Sequence, residues 1–365
     1  MSGRDLNREM PKERNSLRTM ELPTVSLNEQ ENTLEIIDQT LLPNQVCIKK
    51  LKKIEDIHKA IYRLEVRGAP AIGVAAAIGL YVSVLAYADL SDSAFCELLQ
   101  RNAAYLESAR PTAVNLSWAI QRMLRAVNHA PLSVREKLEI LHRECIAIWQ
   151  EDIAMCRSIG ENALSLLTDG CGILTHCNAG QLATSKYGTA LSPIHLGAER
   201  GMHFRVYADE TRPLLQGARL TAFELQQSGV EVTLICDNMA SYVMKNGLVD
   251  AVLVGCDRVV ANGDACNKIG TSGVAVLAHY YGIPFYVLGP TSTIDMSLLS
   301  GDQIPIERRP DEEVTELWYQ KRMAPDGIKV LNPAFDVTDH RLITAIITEK
   351  GILYPPFDRS LQSIF

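Results

Sequence analysis

Gly172-Ile173-Leu174-Thr175-His176-Cys177-Asn178-Ala179-Gly180 reads as a short buried strand that stops abruptly in small and polar residues. The uncharged run Gln181-Leu182-Ala183-Thr184 follows it. A strand that ends this way before a helix start is where an α/β fold can hold a ligand. Unpaired N–H groups at a helix N-terminus favour an anion there. The same field favours the thiolate of a cysteine so placed, which makes Cys177 a candidate reactive group. On this stretch alone, a small apolar filler at a strand end is the better reading of Cys177. The rest of the chain has to tip the balance.

Towards the C-terminus, apolar strand-like runs alternate with helical stretches. The runs are Ile173–Thr175, Phe204–Ala208, Val230–Ile235, Ala251–Gly255 and Pro284–Leu288. Helices fit between them at Leu214–Ser228, Met239–Asn246 and Gly273–Tyr281. That alternation predicts a parallel, doubly wound sheet, whose ligands bind at the carboxyl ends of the strands. No G-x-G-x-x-G follows a strand, so a dinucleotide site is not expected.

The N-terminal half has a different texture. Residues 1–31 are polar and charged with little apolar periodicity and read as a mobile tail. Leu34–Asp38 reads as a strand, with Val46–Ile48 as its antiparallel partner. Helical spacing then covers Ile54–Arg67, Ser91–Arg110, Val114–Val127 and Leu132–Gly160, the last continuing towards Leu167. The expected division is a tail at 1–31, a small antiparallel sheet with a helical bundle at 32–160, and a Rossmann-like part at 161–365. Ala69 to Ala88 carries no charge and is about long enough to cross a bilayer. Pro70, Gly73, Gly79 and the high alanine content make it instead a helix buried in a protein core.

A net charge of −7 argues against a general nucleic-acid binder or a basic membrane-surface protein. It leaves room for an anionic small molecule held by a local positive site. Nine cysteines without any C-x-x-C support neither a disulfide scaffold nor a zinc ribbon, and fit a reducing cytoplasm. The eight histidines form no H-x-x-x-H pair, so no metal site is expected.

Polar residues gather just past the strands: His176-Cys177-Asn178, Asp209 to Gly217, Asp237-Asn238, Cys256-Asp257-Arg258 and Asn267-Lys268-Ile269-Gly270. Asp237 reads as a helix cap, and Arg212 as a surface ion-pair residue or a site residue. Asp257 directly follows a Val- and Leu-rich strand, so desolvation should favour its protonated form and suit it to acid–base work. Pro70 places Arg67 beside the start of an apolar helix. There Arg67 is either a solvated helix-end charge or a phosphate or sugar contact, with the N–H groups of Gly68 and Ala69 alongside.

Val66-Arg67-Gly68-Ala69-Pro70, Thr175-His176-Cys177-Asn178, Glu210-Thr211-Arg212-Pro213 with Gln216-Gly217, Gly255-Cys256-Asp257-Arg258 and Asn267-Lys268-Ile269-Gly270 together resemble the methylthioribose-1-phosphate isomerase family. The resemblance runs from about Leu34 to the C-terminus. It implies an aldose–ketose isomerase of a small phosphorylated sugar, acting as a homodimer without metal or organic cofactor. It makes Cys177 and Asp257 catalytic, and Arg67, Gly68, Ala69, Arg110, Gln216, Asn267 and Lys268 substrate-binding. The wider superfamily also contains ribose-1,5-bisphosphate isomerase and non-catalytic initiation factor 2B subunits, which remain the alternatives. Ala179 departs from the threonine expected in many members, which removes one hydroxyl from the loop.

Overall fold

The computed structural model describes residues 24–111, 113–128 and 132–365. Strands β1 (Val25–Asn28), β2 (Thr33–Ile37) and β3 (Ile48–Leu51) form an antiparallel sheet in the order β1-β2-β3. An antiparallel partner for β2 is present, but it is Ile48–Leu51 rather than Val46–Ile48, and Val25–Asn28 also pairs along β2 where the sequence reading put a tail. Val25 is fully buried, and that burial is what the polar neighbours concealed. The rest of that expectation, residues 1–23, lies outside the described residues.

Five helices follow: α1 (Ile54–Tyr62), α2 (Ala69–Val84), α3 (Asp92–Glu107), α4 (Val114–Val127) and α5 (Val134–Leu164). Their starts are written locally. Ser91 accepts the N–H of Ala94 at the head of α3, and Ser133 with Glu136 forms a reciprocal capping box on α5. Pro70 sits in the first turn of α2, where its missing N–H costs nothing. The run Ala69–Tyr87 is long and apolar enough to span a bilayer, yet 72% of its most apolar window is buried inside the protein. Helix α2 is the axis of the first core, with α1, α3, α4 and α5 packed around it. Gly73 and Gly79 allow the close approaches: a Cβ there would lie 2.9 Å from the Asn115 carbonyl oxygen and 2.7 Å from Ile57 Cγ2.

The second half holds β4 (Gly172–His176), α6 (Ser192–Glu199), β5 (Arg205–Asp209), α7 (Ala222–Gln227), β6 (Glu231–Ile235), α8 (Ala240–Lys245) and β7 (Ala251–Val254). Then come β8 (Arg258–Val260), β9 (Ala265–Lys268), α9 (Thr271–Tyr281), β10 (Phe285–Leu288), β11 (Ile294–Asp295) and α10 (Glu312–Thr315). Strands β12 (Phe335–Thr338), β13 (Ala345–Thr348), β14 (Gly351–Leu353) and helix α11 (Phe357–Gln362) complete it. The main sheet has seven strands in the order β14-β13-β10-β7-β4-β5-β6, parallel except for β14. Helices α5 and α6 cover one face; α8, α9 and α11 cover the other. The predicted doubly wound α/β class is the class observed.

One feature differs from expectation: a second, four-stranded sheet, β11-β8-β9-β12, stands beside the main one. The two halves share a helix. Helix α5 runs through residue 160, giving Ile148 to the first core and Cys156 to the second.

The chain moves outward from β4 through β5 to β6, then returns to place β7 on the other side of β4. The β4–β7 boundary is thus a topological switch point, the place where open α/β sheets bind their ligands. Gly172 shows how tightly β4 is seated, because a Cβ there would lie 1.9 Å from the Leu248 carbonyl oxygen, a backbone atom. Gly172→Ala should lower stability by about 1–3 kcal/mol. Gly273→Ala, on α9 with nothing within 4 Å of the new methyl, should be neutral or slightly stabilising. Urea midpoints of the two variants check this.

Candidate active site

Cys177 follows β4 directly and holds φ +66°, a left-handed conformation rare for a non-glycine residue. Three contacts keep it there. Its N–H donates to Thr211 Oγ1 at 2.8 Å, Thr221 Oγ1 donates to its carbonyl at 2.6 Å, and its neighbour Asn178 donates to Thr221 Oγ1 at 3.0 Å. Thr211 and Leu215 are left-handed as well, so the loops after β4 and β5 share the strain.

Beyond Cys177 the loop closes on Glu224 of α7, a residue with no solvent exposure. Its carboxylate accepts Gln181 N–H at 3.0 Å, Leu182 N–H at 3.2 Å, Asn178 Nδ2 at 3.2 Å, and it meets His195 Nε2 at 3.1 Å. Only glycine fits at position 180, since a Cβ there would lie 1.6 Å from Glu224 Oε1. The expected helix after Gly180 is a single turn, Gln181–Ala183, with two of its N–H groups already bonded to Glu224. The anticipated helix-terminus field on Cys177 is therefore lacking. Burial pushes the thiol up, and the cations Lys268 and then Arg67 offset this only in part. Burial thus favours the Cys177 thiol over its thiolate, against the thiolate expectation.

Arg67 joins the first half of the chain to this loop. Its Nη1 donates to the Asn178 carbonyl at 3.2 Å, its Nη2 to Asn178 Oδ1, and its Nε to Gln39 Oε1 at 3.1 Å. Three of the five guanidinium N–H groups are so used, and two remain for an anion. Gly68 caps α2 at φ +97°, where a Cβ would lie 2.4 Å from the Ala183 carbonyl oxygen. The exposed Ala69 opens the helix beside it. Burial lowers the pKa of Arg67, and the charges of Cys177, Glu224 and Asp257 work against that.

Asp257 comes from the other side of the switch point, after β7. Its N–H donates to the Cys266 carbonyl at 2.9 Å, which starts the β8–β9 hairpin. Gly255 lets the two loops meet, because a Cβ there would lie 2.5 Å from the Ala179 methyl. Asp257 itself is exposed to solvent. Desolvation raises its pKa, Lys268 and Arg67 pull it down, and the net shift is upward, as the sequence predicts.

Lys268 is the stronger of the two neighbouring cations for both Cys177 and Asp257. Its ammonium donates to the Ala334 carbonyl at 3.0 Å and lies 4.3 Å from the centre of the Phe335 ring. Asn267 is buried and donates to Thr271 Oγ1 at 3.0 Å. Gln216 is buried too, and its Oε1 meets no donor among the described residues. An orphaned acceptor of this kind is what a sugar hydroxyl would satisfy.

Arg110 is the site candidate left apart. It lies between α3 and α4, at the end of α4 that approaches Gly73, and no hydrogen bond ties its side chain to the others among the described residues. Two readings of neighbours are corrected. Asp237 accepts the N–H groups of Thr211 and Arg212, both at 2.7 Å, and so pins the β5 loop from a distance. Arg212 forms no ion pair among the described residues; it donates to the Val314 carbonyl at 2.7 Å and lies over the Tyr319 ring. Sequence reasoning missed Glu224 and Arg219. Arg219 donates to the Gln39 and Thr40 carbonyls at 3.0 and 3.3 Å, and the nearby Arg67 charge helps burial to lower its pKa. His176, Asp209 and Asp237 bring ligating atoms within 4.8 Å of one another. Both nitrogens of the imidazole already face protein acceptors, so the ring has no lone pair to give a metal.

The raised thiol has a direct readout. Alkylation of Cys177, followed by mass spectrometry of its peptide, should still be accelerating above pH 9. A rate that levels off near neutrality would show a stabilised thiolate instead.

Residues 65–355 match the model of the Initiation factor 2 subunit family. A methylthioribose-1-phosphate isomerase of Parabacteroides distasonis is 63% identical over 90% of this chain and 98% of its own length. A 5-deoxyribose 1-phosphate isomerase of Petrotoga mobilis is 56% identical over 95% of this chain and 100% of its own. The crystal structure of 5-methylthioribose 1-phosphate isomerase from Pyrococcus horikoshii superposes with a TM-score of 0.91 at 42% identity, covering 96% of this chain and 98% of that one. With most of its length matched at such identity, the chain belongs to the Initiation factor 2 subunit family, among its sugar 1-phosphate isomerase relatives.

Proposed function

We propose that the chain is an aldose–ketose isomerase converting 5-methylthioribose 1-phosphate to 5-methylthioribulose 1-phosphate, a step of methionine salvage. It also accepts 5-deoxyribose 1-phosphate. The observation that carries this is the placement of Cys177 and Asp257 on opposite sides of the β4–β7 switch point, under the shared charge of Arg67 and Lys268. The named relatives divide between the two substrates, which differ only at the 5-position. A hydrophobic pocket separates such compounds by only about 1–3 kcal/mol.

The phosphate on the anomeric oxygen prevents spontaneous ring opening, so an acid must protonate the ring oxygen as its bond to C1 breaks. Asp257, whose protonated form desolvation favours, is that acid. Hydrogen then moves from C2 to C1 while the C2 hydroxyl returns its proton to Asp257. One proton leaves the carboxyl and one comes back, so the cycle balances without metal or organic cofactor. Because burial favours its thiol form, Cys177 is poorly suited to remove a carbon-bound proton. It better serves to steady charge during a direct hydride shift. The two free N–H groups of Arg67, the Lys268 ammonium and the Gly68 and Ala69 N–H groups hold the phosphate, with Arg110 a further candidate cation. Gln216 and Asn267 receive the hydroxyls. A cytoplasmic homodimer is the setting this reading assumes. The family also contains initiation-factor subunits, but a pure binding role gives no purpose to a raised carboxyl facing a strained cysteine.

Turnover of methylthioribose 1-phosphate, 5-deoxyribose 1-phosphate and ribose 1,5-bisphosphate, followed by phosphorus NMR, tests the proposal. Ketose 1-phosphate should form from the first two. Turnover of the bisphosphate alone, or of none by folded protein, would refute it. Asp257→Asn should lower kcat by about 10²–10⁴-fold while substrate still binds. In the native enzyme kcat/KM should fall as pH rises through the elevated Asp257 pKa, since the acid form is lost there.

A further inference from the structure

His176 closes β4 and is 2% exposed, so its ring cannot reach a substrate. Its Nδ1 lies 2.9 Å from Asp209 Oδ2, and its Nε2 lies 2.9 Å from the Ile269 carbonyl oxygen. A carbonyl oxygen only accepts, so Nε2 carries hydrogen. At the other nitrogen, a bare lone pair facing a carboxylate oxygen would repel it, so a proton lies between them as well. Ring and carboxyl together therefore hold two protons. Asp209 is fully buried, and its Oδ1 has no donor among the described residues, so the ring is its side-chain partner.

The ring also shapes what lies opposite. Ile269 and Gly270 form the corner between β9 and α9, directly after Lys268. Gly270 holds φ +104°, and a Cβ there would lie 2.9 Å from His176 Cε1. The corner's far side is fixed by Asp336, which accepts the Gly270 N–H at 2.8 Å, and by Ala334, whose carbonyl accepts the Ile269 N–H at 3.1 Å. Among the described residues no other hydrogen bond joins this corner to β4.

We propose that His176 is a positioning residue, a doubly protonated imidazole that Asp209 holds in place and that ties the Lys268 corner to Cys177, fixing the distance between ammonium and thiol. The charged groups around it are Asp209 on β5, Asp237 after β6, and Lys268 on β9. Burial alone would lower the ring's pKa, but the Asp209 hydrogen bond and charge overcome it and leave it raised. If the tie is cut, the corner is held only from its far side, by Asp336, Ala334 and the β9–β12 pairing, and Lys268 settles towards that side, so Cys177 and Asp257 feel the same cation less.

Two near-isosteric variants of the full chain separate the halves of this tie. In His176→Gln the side-chain amide reaches the Nε2 position and keeps a donor for Ile269. In His176→Asn it reaches only the Nδ1 position and keeps Asp209. Both lose one hydrogen bond, so a merely structural role predicts equal damage. With folding confirmed by urea midpoints, Cys177 alkylation near pH 9 should be slower in His176→Asn than in His176→Gln by about tenfold, the effect of a withdrawn neighbouring charge. The kcat/KM ratio should follow the same order. Equal alkylation in the two variants, or faster alkylation in His176→Asn, would overturn the proposal. Should both variants fail to fold, nitrogen NMR of histidine-labelled wild-type protein decides: both His176 ring nitrogens should carry protons at about pH 8, above the ordinary histidine range, and a ring with one N–H would overturn it. The kinetic arm rests on the isomerase reading. The alkylation and NMR arms do not, so the two ideas can fail separately.

Discussion

The buried carboxylate of Glu224 governs the geometry around it. Taking a carboxylate out of water costs several kcal/mol unless donors replace the solvent. Here the donors are two loop amides and the Asn178 amide, with His195 facing the same oxygens. Asn178 passes the arrangement on, because its carbonyl and side-chain oxygen hold Arg67 from the other half of the chain. One charge on α7 thus fixes the loop after Cys177 and, through it, the cation at the head of α2. Gly180 and Gly68 are the cost in sequence: each marks a place where a side chain would enter occupied space.

The chemistry depends on a balance that this frame sets. Desolvation raises the pKa of both Cys177 and Asp257, while Lys268 and then Arg67 pull both down in part. The switch point between β4 and β7 puts the two groups on facing loops, and the Gly255–Ala179 approach keeps those loops close. Ala179, the residue that departs from the resembling family's pattern, stands at that approach, with its methyl against Gly255.

Much of this was legible beforehand, and the gaps have physical causes. The inner strands β4, β7 and β10 are buried along their whole length, so their apolar runs announce them. Strands β8, β9 and β11 are two to four residues long and carry Arg258, Asn267, Lys268 and Asp295, so they read as loop. Asp257 was recognisable because its position after an apolar strand predicts desolvation. Glu224 was not, since a glutamate on an amphipathic helix is ordinarily solvated, and only the fold shows which face of α7 meets the loop. The thiolate expectation failed for the same reason. Sequence cannot show that the turn after Gly180 has its amides already bonded to a distant carboxylate.

Native-state hydrogen exchange at the Gln181 and Leu182 amides tests the Glu224 clamp most directly. If the buried carboxylate holds a preformed loop, these two amides should exchange only with the opening of the surrounding core, as slowly as amides of β4. Exchange as fast as that of exposed surface loops would contradict it and place the ordering of the site at substrate binding.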